Sequence, residues 1–384
     1  MEPLLYEGDL VFFEKVKAKQ SKINDILLLK KGQLFIHRVI YKHDKYLITK
    51  GDNNSLSDGK INPKQILGRV VKIKRGRHSF KPKDLYLIQS SLYLKEIIKI
   101  KQFLEKNKLE YVFLKGLPLH FYIEGVHPKR LYFDCDILIN RKHFSRVNKI
   151  LLSQGYRTVN THLSKPHQLI KNKITESSYQ KVVRGFPINF DVHLEAVFMM
   201  TQLGRLDNLY DQKLIDKLTD ELLENKQKII VNDESFYILN TKYLILYLAL
   251  HFFHHNFQGA FRLELLDKVI KKYKLREKDW LGIKFKMAEF SLNNFVEPVF
   301  YLLRKYFRTP IPRLINGKKI EVNIFDSEPR IVSGIKRFRN LLFLSPNSFW
   351  RKTLIFLNPG VIYSSFFVLK ERLFYSSRDI SKNH

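Results

Sequence analysis

One cysteine, Cys135, stands in 384 residues. No intramolecular disulfide can form, so a reducing compartment is the expected setting. Long apolar runs are also missing. Residues 1–20 hold no continuous apolar stretch of the secretory-signal kind. Nothing reaches the ~20 apolar residues that span a bilayer. The nearest run, Thr353 to Leu369, is broken by Asn358-Pro359-Gly360 and by Ser364-Ser365. The expected location is therefore the cytoplasm. Acidic residues are scarce, 37 against 68 Lys and Arg, which leaves a formal net charge of +31 spread along the whole length. That balance suits an acidic partner, whether nucleic acid, nucleotide or an anionic membrane surface. It equally suits a chain that solvates its surface with lysine.

What is present is enough apolar material for a sizeable core, 45% of residues, in a length that argues for two domains or more. Residues 1–76 carry short β-patterned runs: LVFF (10–13), DILLL (25–29), LFIHRVIY (34–41), YLITK (46–50) and ILGRVVKIK (66–74). Glu7-Gly8-Asp9, Lys31-Gly32, His43-Asp44 and Gly51 through Gly59 punctuate them as turns. A small antiparallel barrel or sandwich is expected. Basic KRGRHSFKP (74–82) reads as the start of a linker over 77–91. An α/β core over 92–230 and a helical region over 231–384 follow.

Inside that core, YVFLKGLPLHFYIEGVHPKRLYFDCDILIN (111–140) and PINFDVHL (187–194) alternate apolar and polar residues as strands do. Side chains at i and i+2 share a face. Phe133, Cys135, Ile137 and Ile139 are expected on one face, and Tyr132, Asp134, Asp136 and Leu138 on the other. Asp191 and His193 share the polar face of the second strand. Three converging carboxylates, Asp134, Asp136 and Asp191, are costly without a cation between them. Mg²⁺ is the usual solution, because it takes hard oxygen ligands and keeps positions for a phosphate. No Gly-x-Gly-x-x-Gly follows the first strand, so a dinucleotide-binding doubly wound sheet is not expected.

From Asn240 to Phe307 the period is helical, with Leu244, Tyr247, Leu248, His251 and Phe252 as one stripe. His251, His254 and His255 have a metal-like spacing but no third ligand. They are placed instead on a substrate face with Arg262 and Asp267, or in ordinary helix packing. The segment Ile335 to Asp379 mixes Arg and Lys with aromatics. It fits either a helical pair packed on the tail or peripheral contact with an anionic membrane.

Two resemblances rest on these motifs. MEPLLYEGDLVFF, IHRVI, KGDNNSLSD and ILGRVVKI, in that order, resemble the peptidase domain of type I signal peptidases. The resemblance implies a general base at His37 with Asp52 and Asp58 supporting it. The family's nucleophilic serine directly precedes its Met-x-Pro segment, and here the chain is read from Met1. A base without a nucleophile cannot run acyl transfer, so a non-catalytic β domain is expected; a start codon further upstream is the rival explanation.

Leu114-Lys115-Gly116, Arg130, Asp134-Cys135-Asp136-Ile137-Leu138, Asp191-Val192-His193, LALHFFHH (248–255) and Leu265-Leu266-Asp267 resemble a poorly characterised bacterial family of nucleotidyltransferases. That resemblance implies an α/β nucleotidyltransferase fold with an all-helical C-terminal part. It implies Mg²⁺ on Asp134, Asp136 and Asp191 and a triphosphate grip from Lys115, Gly116 and Arg130. His193 is read as a strand histidine supporting Asp191 rather than as a metal ligand. The superfamily's usual Gly-Ser pair after the first strand is Lys-Gly here. The combined expectation is transfer of a nucleotidyl group from an NTP, ATP by preference, to a hydroxyl on a peptide, sugar or small metabolite. Nucleic acid is not the expected partner. The rivals are a signal-peptidase-like serine endopeptidase and a non-catalytic peptide- or nucleotide-binding protein.

Overall fold

The computed structural model describes residues 5, 7–52, 54, 56–128, 130–159, 175–184, 186–195 and 211–326, with 353 and 357. The segment 335–379, apart from those two positions, lies outside the described residues. Among them, no helix is long and apolar enough to cross a membrane.

The N-terminal runs form strands as their alternation predicts. They are β1 (Leu10–Glu14), β2 (Ile26–Lys31), β3 (Gln33–Lys42), β4 (Leu47–Lys50), β5 (Lys60–Ile61), β6 (Ile66–Arg75) and β7 (His78–Phe80). The order is β1-β6-β2-β3-β4-β5, with β7 on β6, and every pairing is antiparallel. Register shifts at Phe12/Phe13, Leu28/Leu29 and Val39/Tyr41 bend the sheet. Both faces are used, because adjacent residues point opposite ways. Leu27 and Leu29 pack with Val39, Leu47 and Ile61. Ile26 turns the other way, to Val70, Ile73 and Tyr86.

Tyr86 belongs to the first helix, and there the linker expectation over 77–91 needs correcting. That stretch contains β7 and the opening turns of α1 (Pro82–Lys106). Pro82 at the first helical position has its φ preset, and the Asp84 carboxylate accepts from the Lys81 N–H at 2.8 Å. These capping groups start the helix eight residues before its apolar stripe becomes evident at Ser90.

A second sheet follows: β8 (Tyr111–Phe113), β9 (Asp136–Ile139), β10 (Arg157–Thr158), β11 (Glu176–Val183), β12 (Phe186–His193), β13 (Lys226–Val231) and β14 (Glu234–Leu239). Its order is β10-β11-β12-β9-β8-β14-β13, parallel at β12–β9 and β14–β8 and antiparallel elsewhere. α1, α2 (Leu117–Glu124), α3 (Phe144–Ser153) and α4 (Gln212–Glu224) accompany it. β9 lies at the centre and is buried at all four residues, so its alternation does not separate a dry face from a wet one.

The strand also begins later than its pattern suggests. Residues 131–135 are extended but outside the strand. They are held by side chains that imitate a neighbouring strand. Gln89 bonds both the N–H and the carbonyl of Tyr132. Asn189 Nδ2 donates to the Phe133 carbonyl at 2.6 Å. The Tyr93 hydroxyl fills the gap beside Asn189, donating to its carbonyl at 2.9 Å and accepting from its N–H at 2.7 Å.

The tail is a bundle of α5 (Thr241–His254), α6 (Ala260–Tyr273), α7 (Glu277–Glu289) and α8 (Asn293–Phe307). α5 is not a one-sided stripe as the spacing predicts. Every residue from Tyr243 to His254 is buried, as a central helix requires. The two sheets are joined through this bundle. The Tyr41 ring packs on Tyr306, Phe307 and Phe325, and its hydroxyl donates to the Tyr306 carbonyl at 2.9 Å.

Tyr93→Phe removes both bonds at Asn189 and takes away the partner of a half-buried N–H. It is expected to destabilise by about 1–3 kcal/mol, read as a lower urea midpoint at unchanged slope. A wild-type midpoint would show that the hydroxyl does not hold this strand.

Candidate active site

The parallel register places Asp136 beside Asp191 and Leu138 beside His193. Register partners emerge on the same side of a sheet about 4.8 Å apart, so the two carboxylates face one space. Asp134, carried on the extended segment that Gln89 and Asn189 hold, is the third member. Ligand oxygens of Asp134, Asp136 and Asp191 all lie within 4.8 Å of one another.

Cationic groups surround them. Lys115, just past β8, puts its Nζ 2.8 Å from Asp134 Oδ2 and 2.5 Å from Asp136 Oδ2. His193 Nε2 donates to Asp136 Oδ1 at 3.0 Å, and its Nδ1 is 3.7 Å from Glu176. The expected support of Asp191 by His193 is thus corrected: the ring serves Asp136, because two residues along a strand bring it over the neighbouring chain.

Ionisation follows from these contacts. Burial alone would raise the Asp136 carboxyl, but Lys115 and His193 together hold it below its usual range. Asp191 lacks the ammonium, and burial followed by repulsion from Asp136 and Glu176 pushes it up to about 6. Burial would lower the His193 imidazole, yet Glu176 and Asp136 raise it to about 9, so the ring is a cation at neutral pH. Lys115 is likewise raised, the attraction of Asp136 and Asp134 outweighing its burial.

Gly116 makes the turn. Its φ of 101° and ψ of −159° lie in a region essentially restricted to glycine. Its carbonyl accepts from His120 Nδ1 at 2.8 Å, which assigns the ring proton to Nδ1. Nε2 is then an acceptor, and Arg130 Nη1 donates to it at 3.1 Å. Burial and then Arg130 push the His120 pKa well down, so the ring stays neutral. Arg130 is further held between the rings of Tyr132 and Phe261, 5.2 and 5.3 Å from its guanidinium. Lys115 therefore meets the carboxylates, while Arg130 is tied to the Gly116 turn beside it through His120, the link between turn and arginine that sequence reasoning missed.

Two further groups were missed. The Tyr247 hydroxyl is buried without a hydrogen-bond partner among the described residues. Its pKa is raised by burial and then by Asp136 and Glu176, which places it close to the same charges. Tyr247 was legible only as one member of an apolar stripe. Glu176 stands at the start of β11, where no motif marks it.

Of the tail residues expected on a substrate face, the structure brings one to a cavity. Arg262 lines a cavity of about 540 Å³ that Arg130 and Phe133 also line, whereas His251, His254, His255 and Asp267 do not. Asp267 instead accepts from Thr309 at 2.7 Å and from Lys271 at 2.8 Å. His251 and His254 are buried in α5. Among the described residues, the one cluster with metal-ligand geometry is the three aspartates.

In the β region, His37 Nδ1 donates to Asp58, with contacts of 2.7 and 2.8 Å, and Thr49 donates to the same carboxylate at 2.6 Å. Asp52 does not join them. It forms a two-pronged pair with Arg38 at 2.6 and 2.5 Å, and Arg38 also donates to the Tyr86 hydroxyl.

The profile of a family described as "uncharacterised nucleotidyltransferase" matches residues 84–308, more than half of the chain. The signal peptidase complex catalytic subunit SEC11 of Clavispora lusitaniae is 40% identical over 65 residues. That likeness covers 15% of this chain and 39% of the relative.

A methyl at Gly116 would meet nothing closer than 3.8 Å, so any penalty comes from the backbone alone. Gly116→Ala is expected to destabilise by about 1–3 kcal/mol, read as a lowered thermal midpoint. An unchanged midpoint would mean that the turn adapts to an L residue without strain.

Proposed function

The chain belongs to this uncharacterised nucleotidyltransferase family, and from that membership we propose that it moves a nucleotidyl group from an NTP to a hydroxyl acceptor with the help of Mg²⁺. The observation that carries the proposal is the convergence of Asp134, Asp136 and Asp191 within 4.8 Å. The donor set suits the ion. All three are hard carboxylate oxygens, and Lys115 already sets a positive charge between two of them. Asp134, Asp136 and Asp191 would hold Mg²⁺, which when bound neutralises triphosphate charge and polarises the phosphorus under attack.

The remaining roles fall to the chain's own groups. Gly116, without a side chain, lets the backbone between β8 and α2 come close to phosphate oxygens. Arg130, with its orientation fixed by His120 and two rings, offers a planar fork to the same oxygens. Lys115 supplies an ammonium, held on Asp134 and Asp136, whose charge would also attract phosphate oxygens. Asp191, as the carboxylate without an ammonium of its own, is the group suited to take the proton of the acceptor hydroxyl.

The β region is proposed to share the signal peptidase fold without its hydrolysis. What supports this reading is that, among the described residues, no hydroxyl bonds the His37 ring.

Incubating the chain with Mg²⁺, each of the four α-³²P-labelled NTPs and a set of peptide, sugar and small-molecule acceptors tests both statements. A labelled product is expected, reduced at least about 100-fold in Asp134→Ala and Asp191→Ala, as loss of charge stabilisation of this kind predicts. Equal labelling by wild type and Asp134→Ala would sink the transferase reading. Labelling of the chain by a fluorophosphonate probe would sink the non-hydrolytic reading of the β region.

A further inference from the structure

The cavity of about 540 Å³ lies between the β region and the transferase, and both supply its walls. Five cationic side chains and three carboxylates line it. Most of the charge is internally matched. Arg38 is held by Asp52, and Lys268 by Glu124 at 3.0 Å and Glu264 at 2.8 Å.

Arg130 and Arg262 are different, for among the described residues neither meets a carboxylate. Arg130 donates to the neutral His120 ring. Arg262 makes one long bond, 3.4 Å, to the Gln258 carbonyl, and its Nε is buried without an acceptor. Both guanidiniums lie against the Phe261 ring, at 5.3 and 4.4 Å.

Their proximity has an electrostatic consequence. The Arg262 pKa is pushed down to about 10 by burial, with Arg130 adding to the fall while Asp134 and Asp136 oppose it. Lys50, from β4, is lowered by burial and by Arg262, against the pull of Asp326. Three cations from two regions thus border one space, with Arg130 opposing the charge of Arg262 and Arg262 that of Lys50.

Gly259, with a φ of +90°, makes the turn before α6, and the Arg262 guanidinium lies in the space that a Cβ there would need. An unpaired buried guanidinium is costly unless an anion completes it.

The geometry points to a phosphate-binding chamber shared by the two regions, in which Lys50 of the β region acts with Arg130 and Arg262 on a phosphoryl group. The β region is then part of the transferase's binding site. The proposal rests on the transferase reading for the identity of the ligand. Two sources carry that chemistry: the triphosphate of the nucleotide, and a phosphate borne by the acceptor. The first places the group beside Asp134, next to Phe133 in the chain. The second places it toward Lys50, with the reacting hydroxyl directed at the carboxylates.

Equilibrium binding of the full chain in EDTA reads the chamber without metal or turnover. Inorganic tripolyphosphate and glycerol 3-phosphate are the two probes, and Lys50→Met, Arg262→Met, Lys50→Arg and Lys72→Met the variants. Lys72 is outside the cavity lining.

At least one probe is expected to bind wild type and to bind Lys50→Met and Arg262→Met at least tenfold more weakly. Lys50→Arg should restore binding and Lys72→Met leave it intact. Preference for tripolyphosphate assigns the chamber to the nucleotide, and preference for glycerol 3-phosphate to the acceptor. In wild type the bound probe should also shield Lys50 from acetic anhydride, a readout that needs no variant. No binding of either probe, or equal binding by wild type and Lys50→Met with Lys50 unshielded, overturns the proposal. Polyanion binding that depends on Lys50, in a chain that transfers no nucleotide, would instead keep the chamber and remove the transferase reading.

Discussion

Two carboxylates, Asp136 and Asp191, stand side by side on neighbouring buried strands, and their repulsion is the constraint around which the centre of the molecule is arranged. Lys115 and His193 both serve Asp136. Asp191 keeps the residual penalty, which is why its carboxyl is pushed up to about 6 while its neighbour is held down. Reaching Asp136 with an ammonium from the next strand demands an abrupt turn, and Gly116 makes it in a conformation other residues resist. The carbonyl exposed by that turn is taken by His120, which in turn aims Arg130. One electrostatic requirement therefore propagates from the sheet to the Arg130 side chain.

The same site reaches outward to the β region. Arg38 contacts α1 through Tyr86, and Tyr41 packs on the end of α8. These contacts bring β4 and Lys50 to the cavity whose other walls are Arg130 and Arg262. The β region and the region that matches the nucleotidyltransferase family thus share a surface lined with excess positive charge. The overall charge of +31 foreshadows such a surface only in sign.

Much of this was legible in the residues themselves. Alternation around Asp134, Asp136 and Asp191 located the carboxylates, and the β-patterned runs before residue 76 located the first sheet. What failed were inferences that depend on neighbours. β9 was expected to have a wet face, but a central strand covered on both sides has none. Asp134 was expected in a strand, yet Gln89 and Asn189 present it from an extended segment. The stripe on α5 vanished because the helix is buried all round. His193 was assigned to Asp191, and only the register shows that it reaches Asp136. His120, Tyr247 and Lys50 could not be found, since the partners that draw them to the site, Arg130, Asp136 and Arg262, are distant along the chain.

Anomalous diffraction from crystals of the full chain soaked in Mn²⁺ and a non-hydrolysable NTP addresses the carboxylate cluster most directly. The ion, a hard cation like Mg²⁺, should give a peak in contact with Asp134, Asp136 and Asp191, with the Lys115 ammonium moved from between the aspartates toward the phosphates. Bound nucleotide with no ion at these three residues, and Lys115 still paired to Asp134 and Asp136, would contradict it.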